Sequence, residues 1–159
     1  MKRNAKLILP TSITVAVLVG LTSLLMAADP AEKTSDAKVE QQVVEDSMHE
    51  FMEYVYQPTY KRLKTSMKAE PADRNGWKAI KADSLILAES ANLLLMRTPD
   101  ENGADWEHSS AATRKLGGEL YRAAAKKDFD SATKAYQSML TNCNACHKKF
   151  ADGKYQLKP

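Results

Sequence analysis

Both cysteines of the chain stand in one pentapeptide, Cys143-Asn144-Ala145-Cys146-His147, inside a segment of helical periodicity. Thiols at i and i+3 of a helix share a face, and the histidine directly after them can turn its imidazole to the same side. A dithiol redox pair would open a helix in a βαβ context, and a zinc site would need two more soft ligands. Neither condition is met, because no strand pattern surrounds the motif and the two other histidines, His49 and His108, are far away in sequence. Covalent haem attachment is favoured, with a structural disulfide or a metal site as the bland alternatives. In this reading Cys143 and Cys146 add across the two vinyl groups of one haem c per chain, and His147 is the proximal ligand of its iron.

The start of the chain bears on the compartment. Lys2, Arg3 and Lys6 precede an apolar run over residues 7–26, followed by Ala27, Ala28 and charged sequence, which reads as an export signal over residues 1–28. A cut after Ala28 leaves Met26 where a small residue is usual, and the run is long enough to span a bilayer, so an uncleaved anchor facing the periplasm is the alternative. Pro10 and the scattered Thr and Ser favour cleavage. Export agrees with haem attachment, since the thioether bonds are made outside the cytoplasm, and the domain is expected in the periplasm.

The formal charge of +3 comes from 23 Lys and Arg against 20 Asp and Glu. Removing Lys2, Arg3 and Lys6 with the signal leaves 20 against 20. A nucleic-acid partner or an anionic membrane surface thereby loses its support, and membrane association follows only from a retained anchor.

Residues 29–37 are polar and aperiodic and read as a tether; 38–153 form the domain and 154–159 a C-terminal tail. The periodicity predicts four helices and no strand, an all-α domain, with helices over 38–68, 77–96, 105–127 and 128–151. In the first, Val44, Met48, Phe51, Met52, Val55 and Leu63 form the apolar stripe, and Pro58 predicts a kink within one helix, since several buried side chains outweigh a cost of about 3 kcal/mol. Tyr54, Tyr56 and Tyr60 read as amphipathic packing with hydroxyls at the solvent edge. The second carries Trp77, Ile80, Leu87, Ala91 and Leu94 on one face, widened by Leu85, Ile86, Leu93 and Leu95. Gly117-Gly118 in the third predicts close approach of a haem plane or of a neighbouring helix. In the fourth, Asp128 is the expected N-cap and Gly153 the C′ residue, and the stripe Phe129, Ala132, Tyr136, Met139, Cys143, Cys146, Phe150 carries both thiols.

Four amphipathic helices with C-x-x-C-H near the C-terminus resemble the class II c-type cytochromes, the cytochrome c′ family, over about residues 38–153. Cys143, Cys146 and His147 carry the motif; Phe150, three residues after the histidine, and Trp106, opening the third helix, match weaker signatures and are candidates for packing against haem. The resemblance implies an antiparallel four-helix bundle with the haem on its C-terminal helix. It further implies a monohaem electron carrier of the bacterial cell envelope rather than an enzyme, with redox proteins as partners and a homodimer as an open alternative. Members of the family divide between carriers with a methionine as sixth ligand and five-coordinate binders of NO and CO. By its offset from Pro71, Met52 matches the distal position, and Met48 is the second candidate; a flexible core filler is the bland reading of either. Met48 also stands where the family often has an arginine near a propionate, so propionate contacts are left open. Peroxidase chemistry ranks third, since His49 is the single distal acid-base candidate and reads as exposed. His108 and the pair Lys148-Lys149 read as solvated, with a propionate contact and a docking patch as their respective alternatives.

Overall fold

The computed structural model describes residues 40–159; the signal expected over 1–28, the tether over 29–37 and the first positions of the expected opening helix lie outside the described residues. All regular structure among the described residues is helical, in four helices. None of these helices is long and apolar enough to cross a membrane.

Helix α1 is continuous through an α segment Met48–Phe51, a π segment Met52–Tyr56 and an α segment Gln57–Ser66. It opens well after the expected residue 38. Ser47 stops it: its backbone is extended, its Oγ accepts from the Glu50 N–H at 3.3 Å, and its own N–H donates to Glu45 Oε1 at 2.7 Å. Val44, expected on the stripe, is fully exposed, so the preceding residues have no packed face to hold them helical. Pro58 is accommodated without a break. Lacking an N–H for the Tyr54 carbonyl, it is preceded by one wider turn, in which the Gln57 N–H reaches back to the Met52 carbonyl.

Helix α2 spans Arg74–Leu95, opening three residues before the expected Trp77 because the Asp73 carboxylate caps the Gly76 N–H at 2.9 Å. Its buried stripe includes Trp77, Ile80, Leu87, Ala91 and Leu94, while Leu85, Ile86 and Leu93, expected to widen it, are about 40 % exposed. Neighbouring helices cover one side of α2, and these three project from the other.

Helix α3 spans Gly103–Lys126 and helix α4 spans Phe129–Phe150, the latter capped by Asp128, whose side chain accepts from the Ser131 N–H at 3.0 Å. Those Ser131 hydrogen bonds hold the Asp128 carboxyl below its usual range. Of the adjacent glycines Gly117 and Gly118 in α3, Gly117 alone is pressed by another backbone. A Cβ there would meet N, Cα and Cβ of Ala88 at 3.1 Å, whereas at Gly118 it would meet only the mobile end of Arg122. Gly117→Ala should therefore lose up to ~2 kcal/mol, overpacking outweighing helix propensity, and Gly118→Ala should gain ~0.5–1 kcal/mol. Urea unfolding of the two variants measures both signs.

The closest packing joins α2 to α3 and α3 to α4, with α1 against α2; the backbones of α1 and α4 have no comparable approach. A large apolar cluster centres on Leu63, Trp77, Ile80, Leu120, Tyr136 and Met139, and a smaller one on Phe51, Leu94 and Trp106. The first draws chiefly on the later part of α1, the earlier part of α2, the later part of α3 and the earlier part of α4. The second draws on the opposite ends.

One buried carboxylate ties α1 to α2. Arg62 donates from Nε at 2.9 Å and from a terminal nitrogen at 2.6 Å to Asp83 Oδ1, with Asp83 buried and Arg62 about half exposed. Arg62→Ala would strand that carboxylate and should cost ~1–3 kcal/mol in urea unfolding.

The chain reverses after α4. The N–H groups of Ala151 and Gly153 both bond the His147 carbonyl, at 2.9 and 3.0 Å, and Asp152, Gly153 and Tyr155 take left-handed backbone conformations. Residues 154–159, expected as a tail, consequently fold back: the Tyr60 hydroxyl donates to the Lys158 carbonyl at 2.6 Å and accepts the Lys158 N–H at 3.0 Å, and Leu157 packs on the larger cluster.

Candidate functional site

Where α1 and α4 stand apart the structure holds a cavity of about 550 Å³ with a chiefly apolar wall. That lies within the range of about 300–1,000 Å³ occupied by small-molecule and cofactor sites. Cys143, Cys146, His147 and Phe150 line it from α4, Met48, Met52 and Tyr56 from α1, Leu94 from α2, Trp106 from α3, and Tyr155 and Leu157 from the C-terminal segment. Cys143, Cys146 and His147 of the motif thus share one cavity with Met48, Met52, Trp106 and Phe150.

Both cysteines are free and half-buried. Burial pushes the Cys143 thiol up to about 12, with Cys146 adding to the rise, and burial also raises Cys146, partly offset by the Ser109 hydroxyl. Such thiols are held protonated, the opposite of the low-pKa thiolate of a redox-active pair. Among the described residues no three His, Cys, Asp or Glu side chains gather as a metal site would need. Beside the motif, Asn142 pins α4 to α3 by donating to the Ser109 carbonyl at 2.9 Å and to Thr113 Oγ1 at 2.8 Å.

His147 Nδ1 lies 2.9 Å from the Tyr155 carbonyl oxygen. A carbonyl has no proton to give, so Nδ1 carries the hydrogen, and in the neutral imidazole Nε2 then keeps the free lone pair. This is the arrangement in which a metal-binding histidine is oriented and made more basic. Trp106 is buried, donates from Nε1 to the Leu94 carbonyl at 2.7 Å and meets Phe150 edge to face, with centroids 5.1 Å apart. Both rings line the cavity.

Met48 and Met52, one helical turn apart, are both half-buried against the smaller cluster. Tyr56 continues their line and departs from expectation. Its hydroxyl is buried without a hydrogen-bond partner, whereas a solvent-edge hydroxyl was expected; Tyr54 is the exposed one. Desolvation pushes the Tyr56 phenol well above its usual range. Ser90 tempers the rise without closing a hydrogen bond, its own hydroxyl being directed to the Leu87 carbonyl at 3.3 Å. The spacing Met48, Met52, Tyr56 was the available signal for this residue, obscured by the two tyrosines beside it.

His49 lies at the cavity rim, largely exposed, 3.2 Å from the Glu53 carboxylate. His108 is exposed and away from the cavity. Lys148 is exposed, while Lys149 forms an ion pair with Asp105 of α3. No family model, curated protein or solved structure matches the chain.

Proposed function

We propose that the domain is an antiparallel four-helix bundle holding one covalently attached haem c and serving as a monohaem electron carrier of the bacterial cell envelope, in the periplasm. The observation that carries this reading is the meeting of Cys143, Cys146 and an Nε2-free His147 on one apolar cavity that Met48 and Met52 also line. The donor set suits the group: two thiols for the vinyls, an oriented imidazole for iron, a soft thioether for its other side, and aromatic lining from Trp106 and Phe150. The antiparallel order is supported by the two clusters, each built from alternate ends of successive helices.

Bound there, haem supplies a one-electron couple between ferrous and ferric iron. The chain's own residues do the rest. Cys143 and Cys146 fix the ring to α4, the Tyr155 carbonyl holds His147 in the tautomer that binds iron, and the apolar wall limits water, keeping reorganisation small. Partners are then redox proteins, and a retained N-terminal segment would place the domain at the membrane.

A second reading, binding of NO or CO at an open sixth position, is favoured by the Tyr56 hydroxyl, a buried donor without a protein partner. Absorption spectra of the holoprotein, oxidised and reduced, with and without CO, separate the two. The carrier is expected to be low-spin when reduced and nearly indifferent to CO; a high-spin protein that binds CO readily is the gas binder.

A further inference from the structure

We propose that the C-terminal segment is a positioning device for the iron ligand: Asn144 and Tyr60 fix its backbone so that the Tyr155 carbonyl receives the His147 Nδ1–H. The inference rests on the haem reading and assigns roles to residues outside the attachment chemistry.

Asn144 occupies one of the two positions of C-x-x-C-H that attachment leaves free, and its amide is engaged at both ends. Nδ2 donates to the Leu157 carbonyl at 3.0 Å, and Oδ1 accepts the Leu157 N–H at 2.7 Å. This is the two-bond pairing one peptide makes with another, supplied by a side chain one helical turn from His147. One residue further on, Tyr60 of α1 makes the same kind of pair with Lys158, donating at 2.6 Å and accepting at 3.0 Å. The Leu157 side chain between them is anchored on the core.

Upstream, the bonds from Ala151 and Gly153 to the His147 carbonyl set the reversal. Tyr155 is thus held from both sides, in a left-handed conformation at φ 58° that an aromatic residue keeps only where its surroundings impose it. What this conformation presents to His147 is the Tyr155 carbonyl, 2.9 Å from Nδ1, with the Tyr155 ring edge-on to the imidazole at 6.5 Å.

The consequence is electronic as well as geometric. An acceptor fixed on Nδ1–H shifts electron density toward Nε2, making the imidazole a stronger donor and favouring ferric iron, so the segment holds the potential down. Releasing it should raise the potential.

The test uses the wild-type holoprotein, Asn144→Ala and Tyr60→Phe, with two readouts: the midpoint potential and solvent exchange of the His147 Nδ1–H proton by NMR of the ferrous state. Asn144→Ala is expected to move the ferric-to-ferrous balance toward ferrous about threefold to tenfold, or about 28–59 mV upward for a one-electron couple. The same variant should speed Nδ1–H exchange at least tenfold, and Tyr60→Phe should shift both in the same direction by less. Haem attached with potential and exchange unchanged in both variants would overturn this inference alone. Wild-type protein without thioether-bound haem would overturn the functional reading and this inference with it.

Discussion

Replacing Met52 with alanine is expected to convert a low-spin holoprotein into a high-spin one that binds CO, with a lower reduction potential. The expectation follows from what a thioether does at iron: as a soft donor it favours the ferrous state and occupies the coordination position a diatomic ligand needs. Met52 is half-buried, lines the cavity and begins the π segment of α1. π turns recur at functional sites because they re-aim side chains within an otherwise regular helix. Alanine at this position leaves no donor, so CO affinity should rise more than tenfold, a change of more than about 1.4 kcal/mol. Met48→Ala is the informative companion, since Met48 lines the same cavity one turn earlier and should leave the spectrum nearly unchanged. If Met48→Ala gives the spectral change and Met52→Ala does not, the sixth ligand is Met48. A high-spin wild type that takes up CO would promote gas binding over electron transfer.

The second large effect concerns the chain without the proposed haem. A void of about 550 Å³ lined by Leu87, Leu94, Trp106 and Met139 is far larger than side-chain truncations leave. At roughly 24 cal/mol per Å³ its cost is on the order of 10 kcal/mol, an upper figure because the mouth is open to water. Small domains have about 5–15 kcal/mol of stability in total. Protein expressed without periplasmic attachment machinery should therefore lose cooperative unfolding and much of its helical circular dichroism, and should bind a hydrophobic dye such as ANS. An apoprotein that unfolds as sharply and at the same temperature as the holoprotein would show that the cavity is not the haem's place in the core.

Long apolar stripes were the legible part of the sequence. Phe129 through Phe150 keeps an unbroken spacing of three and four, and α4 follows it with both thiols on the cavity side. The Asp128 cap was legible, whereas the Asp73 cap stood within what read as a turn and opens α2 three residues early, and the start of α1 was misleading because Val44 mimics a continuing stripe that nothing covers. Leu85, Ile86 and Leu93 show the same limit: hydrophobicity marks what could be buried, and only the position of neighbouring helices decides what is. The glycine pair left two occupants open, and the structure puts Ala88 of α2 against Gly117.

At the site, Cys143, Cys146 and His147 were readable because helix spacing aligns them, and the resemblance to the class II c-type cytochromes pointed to Met48, Met52, Trp106 and Phe150, which line the same cavity. The supporting residues were not. Tyr155 acts through a backbone carbonyl, Asn144 sits at a position the motif leaves free, and Tyr60 reaches Lys158 across 98 residues of chain, so none of the three leaves a local pattern.

The central claim is that haem is bonded to this chain through Cys143 and Cys146, and haem staining of the exported protein on a denaturing gel tests it most directly. Stain should travel with the unfolded wild-type polypeptide, survive in Cys143→Ala and Cys146→Ala through at most one remaining thioether, and vanish in the double variant. Stain absent from the denatured wild type, or unchanged in the double variant, would contradict it.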